Sequence, residues 1–243
     1  MSSAPSFLPA TVLPANLNGG LAVAELEKST DLVSRPAVWI GAGLVCAGLV
    51  VFGVAFVDRP LSRFAYDVVG RHELVRAFQT YPEHLTQLAS AMLVVLGLAR
   101  VFRGELPRLP LTAFTASLSI VSASAIANQL KIVFSRTWPE TFVNNNPSFI
   151  QDGVYGFFWF HGGWGWGSFP SGHTVAAMSF LAVPAIAYPK WRLACLILVL
   201  LEALALWAQD YHFFSDIVAG AFLGGAVALV ASRIAGLDGR KAD

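Results

Sequence analysis

The chain has 243 residues, of which 56% are hydrophobic and 13% charged, and its net charge is +1 at pH 7. Soluble domains carry about 25% charged residues, so a soluble globular fold is excluded, and near-neutrality offers nothing to nucleic acid. A mean hydropathy of +0.61 instead indicates an all-α, polytopic membrane bundle.

Residues 1–36 hold no basic stretch ahead of an apolar run, so they read as a cytoplasmic tail with a short helix near 21–33, not a signal peptide. Six spans follow, on a requirement of roughly 20 apolar residues each. They cover 37–57, 85–102, 111–134, 172–189, 191–210 and 214–235, within a membrane domain of 37–236. Residues 237–243 form a C-terminal tail. Loop 58–84 mixes charges with Leu61, Phe64, Val75 and Phe78, which suits an interfacial helix. Loop 135–170 is long and rich in glycine and aromatics from Phe157 to Trp166, and reads as a lid at headgroup level or as a packed aromatic cap.

Six spans put both termini on one side. With the termini inside, the inner segments hold ten Lys and Arg and the outer loops six, so the positive-inside rule favours cytoplasmic termini in the plasma (inner) membrane. Lys131, Ser171–His173 and His212–Asp216 then all fall at span ends facing the periplasm or exterior. Ionisable groups in such places are a functional-site hypothesis by default.

Each piece has a plain structural reading beside the functional one. Ser171 is a good N-cap, and a helix start with Gly172 at its first residue gives an anion free N–H groups and close approach. The same tripeptide also fits an N-cap serine, a packing glycine and an interfacial histidine. His212 and Asp216, four apart, share a helical face, so the carboxylate fixes one ring nitrogen and leaves the other as base or nucleophile. They also fit a polar pair at a helix start. Lys131 ends an uncharged run and either snorkels or meets a phosphate. Glu202 and Gln129, inside spans, read as interhelical hydrogen-bonding groups. Cys46 and Cys195 lie in apolar runs and read as inert. No Cys/His cluster has zinc spacing, and no metal or other cofactor is expected.

In this order the pieces resemble the type 2 phosphatidic acid phosphatase family, metal-independent lipid phosphatases related to vanadium haloperoxidases and glucose-6-phosphatase. Its motifs are a lysine, six residues and Arg-Pro; then Pro-Ser-Gly-His; then Ser-Arg, five residues, His, three residues and Asp. Here they read Lys131 to Trp138-Pro139, Pro170-Ser171-Gly172-His173, and Ala205-Leu206 through His212 to Asp216. The resemblance covers residues 111–236. It implies that His212 attacks phosphorus and becomes a phosphohistidine, that Asp216 orients it, and that His173 protonates the leaving oxygen and then activates water. It implies further that Lys131, Ser171 and the Gly172 N–H hold the phosphoryl oxygens.

Two departures accompany it. Trp138 and Leu206 stand where the family has arginines that clamp the phosphate, and Arg136 is the candidate substitute for the first. The expected activity is hydrolysis of a lipid phosphate monoester or pyrophosphate, with the lipid phosphate and membrane lipids as partners and no obligate protein partner. The thinner clamp keeps two alternatives open: a headgroup phosphotransferase using the same His/His/Asp site, and a lipid-binding pseudoenzyme.

Overall fold

The computed structural model describes residues 36–70, 73–142 and 145–238, without the side chains of residues 73, 74, 76, 77 and 79. The expected helix near 21–33 lies outside them, as does the N-terminal tail up to residue 35. By internal contacts the chain divides into two units, Met1–Val45 and Cys46–Asp243. The described part of the first, Pro36–Val45, is helical, with exposed and half-buried residues alternating.

The second unit is an all-helical membrane bundle. Helix α1, Pro36–Val69, enters it and is followed by α2 (Glu73–Arg103), α3 (Arg108–Phe134) and the single turn α4 (Phe149–Asp152). Then come α5 (Gly172–Ala187), α6 (Arg192–Ala208) and α7 (Phe214–Ile234). Among the described residues, five stretches are long and apolar enough to cross a bilayer: α1, α2 from Thr80 onward, α3, Pro189–Ala208 (which includes α6) and α7. Helix α5, the fourth expected span, has 16 residues. At 1.5 Å per residue it falls short of a hydrocarbon core of about 30 Å. It does not have to face that core, because no residue of α5 is exposed. The helix packs against α2, α3, α6 and α7.

The closest approach is between α5 and α7. A Cβ on Gly220 would lie 2.7 Å from the Ser171 carbonyl oxygen, and one on Gly224 would lie 2.7 Å from that of Val175. Gly220, Gly224 and Ala228, four residues apart and buried, form a stripe of small residues that lets two backbones touch. Around this seam Ala116, Val183, Ala187, Ala228 and Leu237 form one apolar cluster, and Ala123, Ala127 and Val175 another. Leu237, expected to begin a tail, is thus buried.

The region 58–84 differs from its expected form. Helix α1 runs unbroken through Val69, and α2 starts at Glu73. The charges that suggested a loop have partners instead. Asp58 turns into the protein at 1% exposure, while the Arg59 and Arg63 guanidinium groups sit 5.5 and 5.4 Å from the Tyr155 and Phe149 rings. Two π-helical turns, Gly53–Val57 and Ala65–Val69, interrupt the α-geometry. The first lies just ahead of Pro60, which has no N–H to give to the preceding turn.

Candidate active site

Three chain turns meet at one end of the bundle. Helix α3 stops one turn after Lys131, where Ser135 adopts a left-handed conformation (φ 43°) and returns its N–H to the Lys131 carbonyl. Helix α5 starts at Gly172, with Ser171 as N-cap accepting from the Thr174 N–H at 3.3 Å. Between α6 and α7 the chain reverses through Asp210 (φ 56°), and the N–H groups of Tyr211 and His212 both point back to the Leu206 carbonyl. This reversal swings His212 toward the start of α5. The Ser171 N–H, bonded to the Asp216 carbonyl at 3.0 Å, locks the last two turns together.

These turns gather Lys131, Gly172, His173, His212 and Asp216. The two imidazole rings are 6.0 Å apart between centroids, and His212 Nδ1 lies 3.5 Å from Asp216 Oδ2. His212 Nε2 is therefore the nitrogen left for a substrate. Gly172 lies beside Lys131, whose Cε would be 3.6 Å from an added Cβ. The Lys131 ammonium donates to the Gly167 carbonyl and sits 5.6 Å from the Trp138 ring centroid. Ser171 is fully buried, and its hydroxyl oxygen also accepts from Thr174 Oγ1 at 3.1 Å. It is placed to shape the helix start.

His212 is 2% exposed. Burial pushes its pKa down to about 4, although the Asp216 hydrogen bond and charge work to raise it, and the imidazole is neutral at pH 7.

Arg136 sits differently from its expected place on the phosphate. It is fully buried; Nη1 donates to Asp216 Oδ1 and, at 2.7 Å, to Ser215 Oγ. Nη2 donates to Asp58 Oδ2 at 2.7 Å and Tyr155 Oη at 3.1 Å, leaving Nε without a partner. The rings of Tyr155, Phe157 and Phe213 surround it at 5.3, 4.8 and 4.4 Å. Burial opposes its charge, but Asp216 and Asp58 more than offset this and hold the guanidinium protonated. Two carboxylates thus consume both ends of the fork. Its link to the imidazole pair runs through Asp216.

Sequence reasoning missed several residues here. Asp58 bonds the Ser215 N–H at 2.9 Å as well as Arg136, closing the start of α7 against α1. Ser168 Oγ donates to Asp216 Oδ2 at 2.5 Å, and the Phe213 N–H donates to the same oxygen at 3.1 Å. Glu83 Oε1 stands 3.1 Å from His173 Nε2. Trp138 lies 5.1 Å from the His212 ring and 5.3 Å from that of Tyr211, so the position that resembles a clamp arginine carries an aromatic wall. Leu206 is fully buried. Among the described residues, no group of three or more His, Cys, Asp or Glu is arranged to hold a metal ion.

The model of the PAP2 superfamily matches residues 112–239, more than half of the chain. The chain belongs to the PAP2 superfamily. It is also similar to two curated proteins, the lipid A 1-phosphatases of Rhizobium etli and Rhizobium johnstonii. These are 28% and 27% identical to it over 116 residues, 48% of this chain and 47% and 45% of theirs. The aligned part therefore spans about half the length of the curated relatives it matches. No solved structure matches the chain significantly. The family membership and the long apolar helices are those of a multi-pass membrane protein of this superfamily.

Proposed function

We propose that this protein hydrolyses a lipid phosphate monoester or pyrophosphate at the outer face of the plasma membrane through a phosphohistidine. The observation that carries the reading is the convergence of two imidazoles, a carboxylate, an ammonium and a helix start from three separate chain turns. His212 attacks phosphorus through Nε2 while Asp216 holds its other nitrogen. His173 protonates the leaving oxygen and then takes a proton from the water that hydrolyses the intermediate. Lys131 and the Gly172 N–H neutralise the phosphoryl oxygens, and Ser171 keeps that helix start in place. Arg136 anchors Asp216. The names of the relatives make a phosphorylated glycolipid of the lipid A type the first substrate to try, ahead of phosphatidic acid and polyprenyl pyrophosphate.

A headgroup phosphotransferase is the second reading. It is favoured by Trp138, Leu206 and the engaged Arg136, which leave Lys131 as the cation whose charge acts on both imidazoles. A diester asks for less positive charge than a dianionic monoester.

Purified protein given a panel of lipid phosphates and phosphodiesters decides between them, with free phosphate and new lipids scored separately. Free phosphate from monoesters, lost in His212→Ala with the protein still folded, is the expected result. A new headgroup lipid without free phosphate selects the transferase. Normal turnover in His212→Ala overturns both.

A further inference from the structure

The mechanism above leaves a carboxylate beside the site without a task. Glu83 lies about three turns into α2 in a segment, Tyr81-Pro82-Glu83-His84, that matches none of the motifs. Its carboxylate stands 3.1 Å from His173 Nε2, with the glutamate side chain 59% exposed and the histidine side chain 13% exposed. Pro82 behind it is buried, so the carboxylate projects from a fixed backbone.

The groups facing His173 come from four elements. Glu83 approaches from α2 and Lys131 from the end of α3. Tyr211, from the turn before α7, places its ring edge-on at 5.2 Å, and His212 follows at 6.0 Å. Within α5 itself, Gly172 and Thr174 bring no charge. Burial first, and then Lys131, disfavour a protonated His173, and among the described residues Glu83 is the one carboxylate in hydrogen-bond contact with it. Glu83 thus stands to His173 as Asp216 stands to His212: each ring has a carboxylate on one nitrogen and presents the other.

We infer that Glu83 is a positioning residue that orients His173 through Nε2 and favours its protonated form as it acts, with Nδ1 directed to the leaving oxygen. This inference rests on the phosphatase reading above. In the first half-reaction the His212 Nε2–P bond forms as the bond from phosphorus to the leaving oxygen breaks. The electron pair stays on that oxygen, which takes the His173 proton. In the second, the neutral His173, still held by Glu83, removes a proton from water as its oxygen displaces the phosphoryl group from His212. The carboxylate keeps its charge throughout and stabilises the state in which His173 is charged. An alcohol leaving group needs that proton; a nitrophenolate does not.

Full-length protein in detergent is assayed as wild type, Glu83→Gln, Glu83→Ala and Glu83→Asp, on a lipid phosphate monoester and on nitrophenyl phosphate. With the lipid substrate, Glu83→Gln and Glu83→Ala are expected to lose about 10- to 100-fold in kcat, within the range assigned to general acid catalysis. The basic limb of their pH profile should fall by about 1 to 2 pH units, the effect of removing a neighbouring opposite charge. With nitrophenyl phosphate both should stay within a few-fold of wild type, and Glu83→Asp should recover part of the lipid activity. Equal losses on both substrates, or an unmoved basic limb, would assign Glu83 to structure alone and overturn the inference while leaving the phosphatase reading intact. A wild type that releases phosphate from neither substrate overturns that reading and this inference with it.

Discussion

At the scale of single residues, the site is governed by which charges are matched and which are enclosed. His212 is neutral because it is buried, and the sign of its pH dependence follows. As the proposed nucleophile, with a pKa near 4 against 6.5 in water, it would remain competent on acidification where an ordinary histidine would be protonated. The acid limb of kcat/KM should therefore lie near pH 4, with little loss between pH 7 and 5; a limb near 6.5 would show that the free enzyme presents a solvated imidazole. The same depressed value carries a stability term. Between about pH 6.5 and 4 the unfolded chain binds a proton that the folded one refuses, so stability should decline as pH falls through that window. Arg136 makes the complementary case. Removing it strands Asp58 and Asp216, each fully buried, and breaking a buried pair costs about 3–5 kcal/mol. Arg136→Ala should thus lower the thermal midpoint in detergent well beyond Lys131→Ala, which removes a half-buried ammonium. Equal midpoints would mean that the Asp58–Arg136–Asp216 chain contributes little.

At the scale of elements, the decisive contact is the seam between α5 and α7, because it sets Ser171 and Gly172 against Asp216. Any side chain at Gly224 meets the Val175 carbonyl and the Ser179 nitrogen, which belong to a backbone that cannot step aside. Gly224→Leu should cost about 1–3 kcal/mol from overpacking and reduce turnover as well, since it draws the α5 start away from His212. Gly43→Leu, with nothing within 4 Å of the added carbon, should leave both unchanged. Equal behaviour of the two variants in melting and turnover would remove the seam from the account. Elements were also where the sequence was least complete. The start of α5 was legible because N-cap preference is local; the His212–Asp216 contact was expected from a shared helical face, but His212 lies in the turn ahead of α7 and reaches Asp216 from there. The Asp58–Arg136 pair was not, because its partners are 78 positions apart and a charged Asp-Arg-Pro after an apolar run ordinarily marks a loop. Glu83 sits in a segment whose meaning appears only when α2 is packed against α5. The fourth span was drawn too long because Tyr188 and Pro189 are apolar yet leave the helix.

At the scale of the whole molecule, the site occupies one end of the bundle, and which side of the bilayer that end faces is open to direct test. The opposite end carries Arg100, Arg103, Arg108, Lys190, Arg192 and Arg233, so the outward orientation rests on the positive-inside rule. Cysteine labelling in intact cells resolves it. A cysteine at exposed Asn145 should react with an impermeant reagent, and one at exposed Lys190 should not; the reverse result would turn the molecule over without touching its chemistry. The shortness of α5 has its own consequence. Lipid-facing helices respond to a thicker or thinner bilayer by tilting or by deforming the lipid around them. Helix α5, enclosed by its neighbours, feels no such mismatch, and it carries His173 and the helix start that the proposed function turns toward the phosphate. The height of the reacting phosphate relative to the headgroups is therefore set by protein packing, like a shelf fixed to a wall rather than floating on the water level, and should stay constant as acyl-chain length varies.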